Sequence, residues 1–302
     1  MKTGLVMEGG AMRGMYTAGV TDVFMENNIT FDGAIGVSAG AVFGCNLKSH
    51  QIGRVIRYNK KYCKDKRYKS IRSLLRTGDL FGVSFCYHEI PEKLDVFDVD
   101  AFKNSPMEFY VTCTDMKTGK PVYHKCETGS PKDIEWMRAS ASLPVVSKNV
   151  CIDGGMYMDG GMSDSIPLRY FQSIGYNKNV VILTRHLGYT KKKNIMLPII
   201  KRKYKDYPDF VDAIATRHIH YNETLEYIKD EEQKGSTYVI RPSVPIDIKQ
   251  TENNPSELER IYQLGRSDAN NCIQELRMFL QFFRYYFFRF GYFFLRIRSF
   301  CT

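Results

Sequence analysis

Short apolar runs alternate with stretches of helical period through the first fifty residues. TGLVME (3–8) is an apolar run of strand length. Residues 13–27 place Met15, Ala18, Gly19, Val20, Val23 and Phe24 as a helix would. FDGAIGV (31–37) predicts a second strand, and the segment after Ser38 a second helix. Strand, helix, strand, helix within 48 residues predicts an α/β fold with a central, mostly parallel sheet flanked by helices. Further on, residues 52–104 read as helix and loop. MEFYVTCTD and KPVYHK read as two strands around the turn MKTG (116–119), and IEWMRASASL (134–143) as a helix stopped by Pro144. NVVILTR (179–185) and STYVIRP (236–242) read as strands; residues 208–232 and 256–280 read as helices. There is no internal repeat. The pattern changes after about residue 277, which divides the chain into a domain over residues 1–277 and an aromatic, basic tail over residues 278–302.

The turns after the first two strands carry the chemistry. MEGGAMRGMY (7–16) follows the first strand and is rich in glycine, as an anion-binding turn is. It is not a dinucleotide fingerprint, because Ala11 stands where the middle glycine belongs. It is not a phosphate-binding P-loop either, because Met15 and Tyr16 follow Gly14. GVSAG (36–40) is G-x-S-x-G between an apolar strand and a helix. There Gly36 and Gly40 permit the sharp turn that exposes the Ser38 hydroxyl as a nucleophile; the plainer role is a serine N-cap. A nucleophilic serine needs a base. The six histidines, His50, His88, His124, His186, His218 and His220, lie outside glycine-rich or strand-end settings, and His218 and His220 read as residues of an exposed helix. YMDGGMSDSIP (157–167) instead puts Asp159 before Gly160 and Gly161 at the end of a short apolar segment, a setting that by itself is also an ordinary Asp-Gly turn.

Together EGGAMRG, GVSAG and MDGG resemble, in order, the motifs of the patatin-like phospholipases. The resemblance extends to YTAGVTDVF, QIGRVIRYNKKY, TDMKTGKPVYH, SASLP and DSIP, and covers residues 3–275. It implies a patatin-like three-layer sandwich and a serine acyl hydrolase, a phospholipase A or lipid esterase. Ser38 and Asp159 would form its catalytic dyad. The backbone N–H groups of Gly9, Gly10 and Ala11 would form the oxyanion hole, with Arg13 steadying the loop or the local charge. Two features depart from the family pattern. Ala11 replaces a glycine, which preserves the N–H group unless the position requires positive φ. CIDGGMYMDGG also offers a second Asp-Gly-Gly at Asp153, but only Asp159 is followed by SDSIP. The other readings are a Ser-His-Asp carboxylesterase and a non-catalytic membrane protein on the same scaffold. Too few strands precede Ser38 for the first.

Composition bounds the rest. The chain has 302 residues, 43% of them hydrophobic, enough for a sizeable core. Its eight cysteines form no CxxC pair and no zinc spacing with histidine, which predicts thiols in a reducing compartment and neither metal nor cofactor. No signal peptide is expected, and the location expected is cytoplasmic, peripheral on a membrane. The net charge of +10 suits an acidic partner. The partners expected are a phospholipid or other lipid ester and an anionic membrane surface, with no nucleic acid. YTKKKNIMLPIIKRKYK (189–205) holds seven basic residues and no acidic one. In the tail, Phe279, Phe282, Phe283, Tyr286, Phe287, Phe290, Phe293, Phe294 and Ile297 share one helical face, opposite Arg284, Arg289, Arg296 and Arg298. That segregation predicts a helix lying in a membrane interface.

Overall fold

The computed structural model describes residues 2–297, and side chains through residue 281. Its centre is an eight-stranded mixed sheet. The first strand, β1 (Lys2–Met7), lies between β2 (Gly33–Val37) and β7 (Tyr176–Ile182); β3 (Glu108–Asp115) pairs with β2, and β8 (Thr237–Ile240) with β7, all in parallel. Three antiparallel strands complete it: β4 (Pro121–Cys126) on β3, and the hairpin β5 (Val150–Ile152) and β6 (Gly155–Asp159), which also joins β3.

The central strands are unbroken apolar runs because both faces are covered. Leu5 and Met7 of β1 and Ala34 of β2 point into one cluster, with Met15 and Tyr16 of α1 (Gly14–Glu26), Phe43 of α2 (Ala39–Lys48) and Leu258 and Ile261 of α10 (Pro255–Ile297). Val6 and Ile35 point the other way, against Phe171 of α7 (Leu168–Ser173) and Tyr221 of α9 (Pro208–Gln233). These are the three layers expected. Residues 14–25 of α1 are buried all round. The cause is α10, which crosses α1 backbone to backbone: a Cβ on Gly19 would lie 2.1 Å from Tyr262 O, and one on Gly265 2.1 Å from Tyr16 O. The region 52–104 folds as α3 (Arg54–Tyr62), α4 (Ile71–Thr77), a π-helical stretch (Phe85–Leu94) and α5 (Val99–Asn104).

Several boundaries differ from the sequence reading. The helix expected over 134–143 is α6 (Pro131–Ser140), ending before Pro144, where Ser140 and Ser142 bond to neighbouring elements. The strand expected over 179–185 begins at Tyr176 and ends at Ile182, and of the three residues beyond it Arg185 reaches the site. The β5–β6 hairpin and the short helices α7 and α8 (Leu197–Lys203) were too brief to show a period. At the other end, α10 runs without a break through the expected boundary at 277/278, and Phe279 packs back on the domain, its ring 5.6 Å from that of Tyr238. The side chains from Phe282 to Ile297 and Arg298 lie outside the described ones. No helix among the described residues is long and apolar enough to cross a membrane.

Candidate active site

The register of β3 brings the two motif residues together. Val37, the last residue of β2, pairs with Thr112, and Asp159, the last of β6, pairs with Cys113. Because β4 covers the opposite edge of β3 from Phe109 to Thr114, β2 and β6 follow one another along the same edge and end facing each other. Ser38 and Asp159 therefore leave the sheet at one point, and both line a cavity of about 380 Å³.

Ser38 sits at φ 55°, ψ −120°, a strained conformation for a residue with a Cβ. The glycines of its motif make that turn possible. A Cβ on Gly36 would fall 2.3 Å from Gly40 O, and one on Gly40 would fall 2.4 Å from Met7 O. The turn is also tied down: Ser38 N–H donates to Ser140 Oγ (2.9 Å), and Ser140 Oγ donates to Thr112 O (2.6 Å). Ser38 makes no side-chain capping bond, so its hydroxyl is not spent on α2.

Asp159 is held as tightly. Its N–H donates to Ser142 O (2.9 Å), and its carbonyl accepts from Thr114 Oγ1 (2.8 Å). Oδ1 accepts from Gly161 N (2.8 Å), while Oδ2 is buried with no hydrogen-bond partner among the described residues. Burial raises its pKa; Arg217 opposes that most strongly, followed by the nearby Ser38 hydroxyl. Ser38 and Asp159 are 7% and 1% exposed, yet both reach the cavity. Gly160 is required where the chain turns under β3, since its Cβ would meet Thr112 O at 2.1 Å. Asp153 stands elsewhere. With Gly154 it forms the two-residue turn of the β5–β6 hairpin, both at positive φ, and its exposed carboxylate pairs with Lys132 (2.7 Å).

The Gly-rich turn forms another wall. Gly9, Gly10, Ala11 and Arg13 line the cavity. Gly9 packs closely on the Ser38 turn, where a Cβ would lie 2.9 Å from Val37 O and 3.0 Å from Ser38 Cβ. The N–H groups on either side are used, Glu8 N by Ile182 O and Arg13 N by Gly10 O, whereas those of Gly9 and Gly10 make no hydrogen bond among the described residues. Ala11 adopts φ 49°, so the glycine it replaces would have had a conformational reason.

The remaining wall went unread in the sequence. Arg185, Lys191 and Lys192 follow β7, and Arg217 and His218 come from α9. The basic segment at 189–205 thus gives Tyr189, Lys191 and Lys192 to the wall of the site. Arg217 is half-buried, acts on Asp159 electrostatically and donates from Nε to Ser165 Oγ (3.3 Å). His218 lines the cavity, with Nδ1 buried and unpartnered among the described residues, while His220 is exposed beside Glu223. Glu8 accepts from Thr184 N (2.6 Å), Thr184 Oγ1 (3.1 Å) and Tyr221 OH (2.7 Å). Apart from Glu8 of EGGAMRG and Ser165 of DSIP, none of these lies in a motif; the fold brings them together.

A group of metal-ligand type, absent from the sequence spacing, also comes together away from the cavity: His124 and Cys126 of β4 with Asp133 of α6. Asp133 there accepts from Thr128 N, Thr128 Oγ1 and Gly129 N, which makes it the cap of that turn, and burial holds the Cys126 thiol well above its ordinary pKa.

Comparison with known proteins places this geometry. A family model described as patatin-like phospholipase matches residues 5–171, and one described as a domain of unknown function, DUF6363, matches residues 207–281. An uncharacterized protein, YjjU of Escherichia coli K12, is 27% identical over 282 residues, covering 87% of this chain and 74% of its own. The lysophospholipase nte1 of Emericella nidulans is 24% identical over 286 residues, 91% of this chain but only 18% of the relative's length. Among solved structures, VipD from Legionella pneumophila aligns over 91% of this chain and 67% of its own with a TM-score of 0.45 at 12% identity.

Proposed function

Since the chain belongs to the patatin-like phospholipase family and is a lipid-hydrolysing enzyme, we propose that it is a serine acyl hydrolase working through a Ser38–Asp159 dyad. The observation that carries this is the meeting of a strained serine turn with a buried carboxylate that has one unpaired oxygen, both on the wall of one cavity. Asp159 Oδ2 takes the hydroxyl proton as Ser38 Oγ attacks the ester carbonyl. The tetrahedral oxyanion is received by the N–H groups of Gly9, Gly10 and Ala11, where each donor contributes about 3 kcal/mol to lowering the barrier. The alkoxide leaves with the proton from Asp159, giving an acyl-serine. Water then attacks that ester, with Asp159 again taking the proton and returning it to Ser38. Burial supports the carboxylate in this role, because a raised pKa makes a stronger base.

The substrate proposed is the acyl ester of a phospholipid or lysophospholipid, consistent with the name of the nte1 relative. Contact with an anionic bilayer is proposed through the rim of the cavity. In sequence beside the lining residues Arg185, Tyr189 and Asn194, Leu187 and Ile195 are 74% and 90% exposed, among Lys192, Lys193 and the basic residues of α8.

One observation favours a second reading: His218 lines the same cavity and could act as base in a Ser-His arrangement. Hydrolysis of p-nitrophenyl butyrate and of phospholipid vesicles separates them. Ser38→Ala abolishes both activities on either reading. His218→Ala retains most of both if Asp159 is the base, and loses several orders of magnitude if His218 is.

A further inference from the structure

The cavity is far more basic than ester hydrolysis requires. Arg13, Arg185, Lys191, Lys192 and Arg217 line it, against two carboxylates, Glu8 and Asp159. Glu8 already serves Thr184 and Tyr221, and Asp159 is the base assigned above. None of Arg13, Arg185, Lys191 and Arg217 is in an ion pair among the described residues, although exposed cations elsewhere, such as Lys60 and Arg67, are paired. Arg185 and Lys191 rest instead on the rings of Tyr189 and Tyr221, at 4.3 and 4.2 Å. Arg13 is 7% exposed, and its Nε is buried with no hydrogen-bond partner among the described residues.

These cations act on one another. Arg185 helps lower the pKa of Arg13, after burial. Lys191 is brought down to about 7, first by burial, then by Arg217, and further by Arg13 and Arg185. Glu8 opposes this at Arg13 and Lys191, and Asp159 at Arg217, which leaves four buried or half-buried cations facing two carboxylates. Such an excess of like charge is unfavourable, and the missing charge is an anion. An arginine fork matches phosphate oxygens, and a lysine adds a point charge. Their position beside Ser38 puts that anion within the same molecule as the scissile ester.

The geometry points to a phosphate subsite formed by Arg13, Arg185, Lys191 and Arg217, which selects acyl esters whose polar part carries a phosphate monoester. It rests on the serine hydrolase reading for the ester, but binding of the phosphate does not. A neutral acylglycerol fits the same nucleophile and leaves the four cations facing only the two carboxylates, an excess of two charges. A dianionic phosphate compensates them, so discrimination arises at the head group rather than at the acyl chain.

The test has two arms, both on the full chain. In the first, calorimetry on Ser38→Ala measures binding of hexanoyl-glycerol 3-phosphate and of inorganic phosphate. The lipid ester is expected to bind at least tenfold more tightly than the free ion. Adding Lys191→Gln weakens the ester at least tenfold, and adding Lys191→Arg restores most of it. In the second, active enzyme is given hexanoyl-glycerol 3-phosphate and hexanoyl-glycerol, both as monomers in solution. The ratio of their kcat/KM values is expected to exceed ten and to fall about tenfold in Lys191→Gln. No binding of either phosphate compound, a ratio near one, or a Lys191→Gln variant that binds like its parent overturns the subsite. Free phosphate binding as tightly as the ester overturns the lipid assignment. Lys191-dependent binding of the ester together with no hydrolysis of either substrate leaves the subsite standing and removes the hydrolase reading instead.

Discussion

Ser140→Ala removes one oxygen and leaves the cavity lining untouched, which makes it a clean test of what holds the nucleophile. Ser140 is fully buried, and its Oγ is the partner of Ser38 N–H while it donates to Thr112 O. Deleting it orphans a buried N–H group, at about 1–3 kcal/mol, and removes a hydrogen bond from Thr112. The turn it clamps is itself strained by about 1–3 kcal/mol at Ser38, so it relaxes once released. The stability loss expected is about 2 kcal/mol, which a domain with a margin of about 5–15 kcal/mol survives. The catalytic loss is the more specific readout, because a displacement of about 1 Å in a reacting group costs about 100-fold. Steady-state kinetics on p-nitrophenyl butyrate, with urea unfolding of the same sample, should show kcat down about 10- to 100-fold with KM little changed. A wild-type kcat in a protein destabilised by 2 kcal/mol would refute the reasoning and make Ser140 an ordinary core hydrogen bond.

Three further outcomes follow from the geometry. Asp159 has a raised folded pKa, so its protonated form favours the fold below the unfolded value of 3.8, and that stability is lost as pH rises through the folded value. Asp159→Asn should therefore melt higher than wild type at pH 7, with the gain vanishing in acid, and the wild-type kcat/KM should fall on its acid side at a pH above 3.8; equal melting temperatures at pH 7 count against a destabilised carboxylate. Gly265→Ala, whose Cβ would strike Tyr16 O at 2.1 Å, should lower the urea midpoint by the equivalent of about 1–3 kcal/mol, and an unchanged midpoint means that α1 and α10 are not in backbone contact. Ala11→Gly should keep or slightly increase stability, because φ 49° costs alanine about 1 kcal/mol, and a marked loss in thermal unfolding argues against that backbone conformation.

What the sequence made legible is what local rules govern. The strands β1 and β2 showed as apolar runs, and the turn after each showed by its glycines. The sequence kept Asp153 as a second Asp-Gly-Gly candidate; its place in a tight hairpin turn follows from Asp-Gly chemistry that is local as well. The meeting of Ser38 with Asp159 was implied only by resemblance. Physically it depends on the long-range register of β3, which receives residues from both motifs at Thr112 and Cys113. Arg185 and Arg217 gave no signal, Lys191 showed only as part of a basic run and His218 read as a residue of an exposed helix; only the packing of α9 and the loop after β7 on the sheet brings them to one cavity. Ser140 lay in a quoted stretch, SASLP, without a role, since its bonds run to residues 102 and 28 positions away. The interface helix expected after residue 278 was read from aromatics segregated from arginines; of its aromatic face only Phe279 is among the described side chains, and it packs on Tyr238.

The central claim is that Ser38 is a nucleophile activated by Asp159. The most direct measurement is covalent capture: incubation of the full chain with a fluorophosphonate, followed by peptide mass spectrometry and a time course of labelling. The account predicts one adduct per chain, on Ser38, formed at a rate that collapses in Asp159→Asn and survives in His218→Ala. Labelling of Ser38 that is indifferent to Asp159 and lost with His218, or an adduct on another residue, would contradict it.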